Sequence, residues 1–288
     1  MKSIDLWTDY LVGKFAPVFA GKKLPRVAID FANGSGADVA IDVLTRLGFE
    51  LDVYNNAPDG NNINLNCGAL YPEGLARVLA TKVATQDFFR KHHSPPSVGF
   101  AFDGDADRCV VLDNAGAVIP GDVLLAFLAI HMGATDVVST VMLNGGAEKY
   151  LESRGINVHR TAVGDRHVIA GVERCLRRKS CEATSEASTR ESRVVVAGEP
   201  SGHYVFPDII MCDDGLVSAL MVLKMFIENN GAFPPMPPLW HSVMKNVTGD
   251  VPNMRILIRK SGTENLTRIY VEGENKDKVE QIVDILHN

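Results

Sequence analysis

Residues 98–112, VGFAFDGDADRCVVL, contain two short apolar runs separated by an acidic turn. The runs have the length and composition of buried strands, so the stretch predicts a strand, a turn and a second strand. Within the turn, three carboxylates alternate with small residues: Asp103, Asp105 and Asp107. Alternate residues of a turn can direct their oxygens to one point, and hard cations such as Mg²⁺ bind clustered oxygen ligands. The next residue, Arg108, would neutralise part of this charge or contact a phosphate group.

Three other kinds of acidic loop are alternatives to a Mg²⁺ site. An EF-hand requires a glutamate at its twelfth position, and that position, counted from Asp103, is Asn114. A solvated surface turn is disfavoured because the apolar runs around Phe100 and Val110 place the loop at the edge of a core. A phosphatase of the haloacid dehalogenase type uses a nucleophilic aspartate in an Asp-X-Asp loop near the start of its domain. That alternative stays open.

The chain on both sides of this stretch alternates between strand and helix patterns. Upstream, a strand at 26–31, the glycine turn Asn33-Gly34-Ser35-Gly36, a helix to Leu47 and a strand at 51–54 predict a βαβ unit. A similar alternation follows downstream, and the tail reads strand, loop, strand, helix. The sequence therefore predicts an α/β fold, with two consecutive α/β domains (mixed sheets flanked by helices) and a small, shortened C-terminal α+β domain.

Composition suggests where these domains divide. Two seams are rich in proline, KHHSPP at 91–96 and FPPMPP at 233–238. We expect three domains: 1–96 with an N-terminal linker helix, 97–232 with the acidic turn, and 239–288. The polar stretch 177–193 has the composition of a mobile loop.

Three further polar loops hold candidate binding residues. GEPSGH at 198–203 offers a carboxylate, a hydroxyl and an imidazole, which can bind sugar hydroxyls: Glu199, Ser201 and His203. RKSGTE at 259–264, with an arginine beyond it, combines cations, hydroxyls and a glycine turn into a phosphate cradle: Arg259, Ser261, Gly262, Thr263 and Arg268. VGDR at 163–166 begins a helix, where Asp165 is a candidate cap and Arg166 a candidate phosphate contact.

The bulk composition excludes several classes of protein. Hydrophobic residues make up 46% and charged residues 22% of the 288, with a net charge of −6. No basic run is long enough to follow a nucleic-acid backbone, and no apolar run reaches the ~20 residues that a membrane span needs. Five scattered cysteines without Cys-X-X-Cys spacing indicate thiols in a reducing compartment. We expect a cytoplasmic protein.

Taken together, the loops resemble those of the α-D-phosphohexomutase family. DGDADR is similar to that family's magnesium loop, GEPSGH to its sugar-binding loop and RKSGTENLTR to its phosphate-binding loop, and all three occur in the family's order. VGDR stands at the place where the family has a similar segment. The stretch 58–70 further resembles the phosphoglucosamine mutase branch of the family. Lys260 and Asn265 depart from the pattern, because the family usually has prolines there.

The resemblance implies a four-domain enzyme in which each domain contributes one loop to a central cleft. The first domain supplies a phosphoserine, which donates its phosphoryl group to the sugar and later recovers the other one. Mg²⁺ is then held by the three aspartates and the phosphoserine. The resemblance also makes Arg108 a catalytic residue, assigns the sugar and phosphate loops the roles proposed above, and gives Arg166 a secondary one.

The phosphoserine loop of the family, a Ser-His-Asn-Pro segment, does not occur in the 288 residues. We therefore expect a phosphohexose mutase, converting hexose or hexosamine 6-phosphates to 1-phosphates, that lacks its first domain and is inactive alone. A separate chain carrying that domain is one expected partner. The alternatives are an inactive sugar-phosphate-binding module, a metal-dependent phosphatase, and a mutase that uses a sugar bisphosphate as its phosphate source. We also expect a homodimer, since the missing domain would leave an apolar face exposed.

Overall fold

The first five strands form one sheet built around the predicted βαβ unit. The computed structural model describes residues 3–84, 96–182, 193–244, 255–260 and 267–285. The sheet has the strand order β2-β1-β3-β4-β5, and these strands are β1 (Val27–Asp30), β2 (Leu51–Tyr54), β3 (Val98–Phe102), β4 (Cys109–Asp113) and β5 (Val118–Ile119). β1 pairs in parallel with β2 and β3, whereas β4 and β5 continue the sheet antiparallel. The first three helices are α1 (Ser3–Phe19), α2 (Ala37–Arg46) and α3 (Glu73–Ala84).

The pairing of β3 corrects the expected division at residues 96 and 97. Every residue of β1 and of β3 is buried, as is typical of strands inside a sheet. β1 therefore needs a partner on each side, and β3 fills the second position with Val27 opposite Val98. The acidic turn thus belongs to the first sheet and does not begin a second domain.

The second sheet repeats the mixed arrangement of the first. Its strand order is β10-β9-β8-β6-β7, and its strands are β6 (Asp136–Thr140), β7 (Asn157–Thr161), β8 (Val195–Gly198), β9 (Tyr204–Phe206) and β10 (Ile210–Asp213). β7, β6 and β8 run parallel, and β9 and β10 are antiparallel additions. The helices of this part are α4 (Gly121–His131), α5 (Gly145–Glu152), α6 (Asp165–Glu182) and α7 (Gly215–Glu228).

One large apolar cluster spans the two sheets. Seven consecutive residues of α4, Val123–Ala129, are buried, and α7 is buried over most of its length. A helix that is apolar on all sides must be surrounded by protein. α7 meets this requirement by contacting β4 of the first sheet and β9 of the second, and it also packs against α1. The same cluster of buried side chains includes residues of both sheets.

The third, small sheet has the predicted α+β form. Its antiparallel order is β11-β13-β12, with β11 (His241–Met244), β12 (Arg255–Lys260), β13 (Thr267–Gly273) and the final helix α8 (Lys276–Ile285). The small unit is joined to the second sheet by paired hydrogen bonds. The Asn144 side chain donates to the Trp240 carbonyl over 2.8 Å and accepts from the Trp240 N–H over 2.9 Å. The expected two α/β units and C-terminal α+β unit are confirmed.

Two smaller expectations concern the surface. Helix α6 continues to Glu182, so the first part of the polar stretch 177–193 is helical. Residues 183–192 of that stretch lie outside the described residues. None of the helices in the described ranges is both long enough and apolar enough to cross a lipid bilayer.

Candidate functional site

The acidic turn between β3 and β4 brings its three carboxylates together. Oxygen atoms of Asp103, Asp105 and Asp107 lie within 4.8 Å of one another. Asp103 is buried, and its Oδ1 accepts a hydrogen bond from the backbone N–H of Arg108 over 3.1 Å. Its Oδ2 lies 3.2 Å from Nε of the same arginine. Arg108 therefore fixes the first carboxylate, while the other two point to the same region.

Crowding and burial disfavour the ionised form of Asp107. Burial and the negative charge of Asp103 raise the pKa of Asp107 to about 6, although the nearby His203 partly opposes the shift. A divalent cation among the three carboxylates would remove their repulsion, and Mg²⁺ prefers carboxylate oxygens. The donor set therefore fits the Mg²⁺ site that the sequence predicts.

The loop GEPSGH follows the buried strand β8 and forms a tight turn. The Glu199 N–H donates to the His203 carbonyl over 2.8 Å, and the Gly202 N–H donates to the Glu199 carbonyl over 3.1 Å. Gly202 has φ of +104°, a conformation that favours glycine. The turn brings the three predicted sugar-binding side chains together. His203 Nδ1 lies 3.2 Å from Glu199 Oε2 and 3.1 Å from Ser201 Oγ.

His203 joins the sugar loop to the metal loop. Its Nε2 lies 3.3 Å from Asp107 Oδ1 and 3.2 Å from Arg108 Nε. Close by, the Cys109 N–H donates to the Gly202 carbonyl over 2.9 Å. Burial alone would lower the pKa of His203, but the hydrogen bond to Glu199 and the charge of Asp107 outweigh it, so the pKa is raised. Two loops whose contacting residues, Arg108 and His203, are 95 positions apart in sequence thus form one polar site.

The VGDR loop contacts the same site through its backbone. The Gly164 N–H donates to Glu199 Oε1 over 3.1 Å. Burial raises the pKa of Glu199, but the hydrogen bonds from His203 and Gly164 more than offset this, so the pKa is lowered. Asp165 is the first residue of α6. Arg166 lies beside its neighbour, with Nε 3.3 Å from His167 Nε2, and its phosphate contact stays a prediction.

Only part of the predicted phosphate loop falls within the described residues. Arg259 of β12 and Arg268 of β13 stand opposite each other in the register of the antiparallel pair. Ser261, Gly262 and Thr263 lie outside the described residues. The phosphate cradle therefore remains a prediction.

Sequence reasoning missed two supports of the metal loop. The glycine turn looked like a plain strand-to-helix connection, yet the Ser35 N–H donates to the Gly104 carbonyl over 2.9 Å. A Cβ on Gly34 would lie 2.3 Å from that same oxygen, so the two turns touch. Asp213 was also missed, although its Oδ2 lies 3.8 Å from His203 Nε2. The contact between the two turns could have been found from sequence, because a glycine in each turn permits close approach of their backbones. No sequence signal marks Asp213.

Family models match almost the whole chain. Residues 5–116 match the phosphoglucomutase/phosphomannomutase alpha/beta/alpha domain II, and residues 120–236 match domain III of that family. Residues 250–287 match its C-terminal domain. The first match ends after the acidic turn, in agreement with the strand pairing of the first sheet.

Curated relatives cover the chain but are longer than it. The phosphoglucosamine mutase of Sulfurovum sp. (strain NBC37-1) is 36% identical over an aligned length of 293 positions. The alignment covers 92% of this chain and 59% of that protein. The phosphoglucosamine mutase of Rhizobium meliloti (strain 1021) is 35% identical over 293 residues, covering 91% of this chain and 59% of its own length. The chain thus spans less than two thirds of these relatives.

Solved structures share the fold at low sequence identity. A phosphoglucomutase/phosphomannomutase family protein from Burkholderia thailandensis has a TM-score of 0.70 at 21% identity, covering 99% of this chain and 63% of that one. The N-acetylphosphoglucosamine mutase of Aspergillus fumigatus, solved with GlcNAc-6P and magnesium, has a TM-score of 0.70 at 18% identity. The match covers 97% of this chain and 68% of that one. With the three matched domains in order, the chain belongs to the phosphoglucomutase/phosphomannomutase family.

Proposed function

We propose that this chain supplies the metal-binding and sugar-phosphate-binding part of a phosphohexose mutase acting on a hexosamine or hexose phosphate. The observation that carries this proposal is the contact between the two loops at His203. Its ring lies within 3.3 Å of a carboxylate of the metal loop and within 3.2 Å of one in the sugar loop. A phosphate near the metal and the sugar hydroxyls near Glu199 would therefore occupy adjacent positions.

Each loop would have a separate task in this reaction. Asp103, Asp105 and Asp107 would hold Mg²⁺, which would balance negative charge on the transferring phosphoryl group. Glu199, Ser201 and His203 would bind sugar hydroxyls, and Arg108 would contact the phosphoryl oxygens. Arg259, Ser261, Gly262, Thr263 and Arg268 would hold the second phosphate of the substrate, and Arg166 would assist.

The phosphoryl donor in this proposal is a phosphoserine that lies outside the 288 residues. Its phosphoryl group would pass to a sugar hydroxyl, and the other phosphoryl group of the bisphosphate would return to the serine. Phosphoryl transfer depends on positioning and charge stabilisation around the donor, and the residues on this chain supply part of each. The relatives named phosphoglucosamine mutase favour glucosamine 6-phosphate as the first substrate to test.

The test is calorimetric titration of glucosamine 6-phosphate into the chain with saturating Mg²⁺. Glu199→Gln should weaken binding by about 10- to 100-fold, because a hydrogen bond to a charged group contributes roughly 1.5–3 kcal/mol. Glu173→Gln is a matched control, since Glu173 is paired only with Arg177 on the exposed side of α6 within the described residues. Equal binding by the wild type and Glu199→Gln would contradict the assignment of the sugar loop.

A turnover assay separates the remaining alternatives. Conversion of the 6-phosphate to the 1-phosphate only after addition of a relative's first domain would support a mutase completed by another polypeptide. Conversion with added sugar 1,6-bisphosphate alone would mean that the bisphosphate replaces the serine donor. Binding without turnover in either case would favour a binding module. Release of inorganic phosphate that is lost in Asp103→Asn would favour the phosphatase, although both oxygens of Asp103 already contact Arg108.

A further inference from the structure

A second group of metal-ligating side chains lies in the second sheet, away from the end of β8 that leads into the sugar loop. Asp136 of β6, His159 of β7 and Cys175 of α6 place one ligand atom each within 4.8 Å of the others. Asp136 is paired in register with Val195, at the start of β8. The sugar loop begins at Gly198, at the other end of that strand. Gly198 is opposite Ser139, so Asp136 lies three residues from the level of the sugar loop, about 10 Å along β6 at roughly 3.3 Å per residue.

Close packing of α6 brings the thiol to this position. A Cβ on Gly171 would lie 2.6 Å from Val138 Cγ1 and 2.9 Å from Thr161 Cγ2, so the glycine lets the helix approach the sheet. Cys175 stands one turn later, on the same face of the helix, and is buried. A cavity of about 330 Å³ lies beside it and is lined in part by His159 and Cys175.

The carboxylate and the imidazole of the group are already held in place. His159 Nε2 lies 2.8 Å from Asp136 Oδ1, and Asp136 Oδ2 accepts a hydrogen bond from Thr135 Oγ1 over 2.8 Å. Arg193 Nε is 3.9 Å from the same Oδ2. Although burial opposes it, these hydrogen bonds and the arginine lower the pKa of Asp136, so the carboxylate is in the ionised form that binds cations.

The three donor atoms differ in kind from those of the acidic turn. A thiolate sulfur, an imidazole nitrogen and a carboxylate oxygen are the ligands that Zn²⁺ takes, at bond lengths of about 2.0–2.3 Å. Mg²⁺ takes oxygen ligands and has little affinity for thiolates. Zinc sites with three protein ligands complete their tetrahedron with water, and the adjacent cavity gives water access to this position.

We propose that Asp136, His159 and Cys175 bind a thiophilic divalent cation of the Zn²⁺ class, at a site separate from the Mg²⁺ loop. The cation would replace the hydrogen bond between Asp136 Oδ1 and His159 Nε2, and it would attach α6 to β6 and β7. Because α6 starts inside the VGDR segment, at Asp165, the bound cation would stabilise the helix that carries Asp165 and Arg166.

The test uses Co²⁺ as a spectroscopic substitute for Zn²⁺, added to the whole chain in saturating Mg²⁺ so that the acidic turn is occupied. We expect one equivalent of Co²⁺ to produce a thiolate-to-cobalt charge-transfer band in the near ultraviolet, which one equivalent of Zn²⁺ abolishes. The band should be lost in Cys175→Ser and in His159→Gln. The second variant keeps the proposal testable if the buried serine prevents folding, because the His159 side chain is 31% exposed.

Cys67→Ser is the matched control, since Cys67 is also buried but lies between β2 and α3, in the first α/β unit. It should retain the band. No band in the wild type, or a band that persists in Cys175→Ser, would overturn the proposal. A band lost only in Cys212→Ser would place the cation at that thiol instead, and would equally overturn it.

Discussion

Replacing Gly34 with alanine would push a methyl group into the backbone of the metal loop. The new Cβ would lie 2.3 Å from the Gly104 carbonyl oxygen and 2.6 Å from its Cα. Ordinary contact distances are about 3.5 Å, so one of the two turns must move by roughly 1 Å. Such overpacking typically costs about 1–3 kcal/mol. Losing the bond from the Ser35 N–H to the Gly104 carbonyl would add about 1 kcal/mol.

The same shift should weaken Mg²⁺ binding, because Mg²⁺ requires near-ideal geometry at about 2.0–2.1 Å from its ligands. We expect Gly34→Ala to lower the free energy of unfolding in urea by about 2–4 kcal/mol. We also expect at least a tenfold loss of Mg²⁺ affinity by calorimetry, the equivalent of about 1.4 kcal/mol.

Gly13→Ala provides the control for this experiment. Gly13 lies in α1, and a Cβ there would meet no atom within 4 Å among the described residues. Alanine at a helical glycine should stabilise the chain by up to about 1 kcal/mol and leave Mg²⁺ binding unchanged. If Gly34→Ala were as stable as the wild type and bound Mg²⁺ equally well, the idea that the glycine turn positions the metal loop would be refuted.

Two further predictions concern Asp122, which is partly buried, and the buried carboxylate of Glu199. Burial and the charge of Glu272 raise the pKa of Asp122 to about 6, although the Asn144 N–H partly opposes the shift. Ionisation of Asp122 therefore costs stability as the pH rises from about 4 to 6, so Asp122→Asn should stabilise the chain at pH 7.5 by about 2–3 kcal/mol and hardly at pH 4, in urea unfolding at both values. His203→Ala should destabilise it by about 3 kcal/mol, measured the same way, because it leaves the buried Glu199 carboxylate without its imidazole. A pH-independent effect of Asp122→Asn, or a His203→Ala protein as stable as the wild type, would contradict the respective assignment.

Local features of the chain could be predicted from sequence because nearby residues determine them. The alternation of strands and helices, the glycine turn and the acidic turn all depend on patterns a few residues long. The structure confirms the two α/β units and the C-terminal α+β unit. The three aspartates also converge as their spacing predicts.

Long-range pairing accounts for what the sequence did not reveal. β3 could have begun a new sheet or completed the first, and only the two-sided burial of β1 determines which. In the same way, the sequence of GEPSGH is typical of a sugar-binding loop, but it does not indicate that His203 lies close to Asp107 and Asp213. Those contacts depend on how two sheets pack, which no local pattern encodes.

The helix α7, buried between the two sheets, has a consequence for how the chain unfolds. Its contacts with β4 and β9 mean that separating one sheet from the other would expose the apolar surface of this helix to water. The two α/β units should consequently melt in one cooperative transition despite matching two separate family models. In evolutionary terms they would be inherited as a pair, because recombination between them would leave each half with an uncovered face.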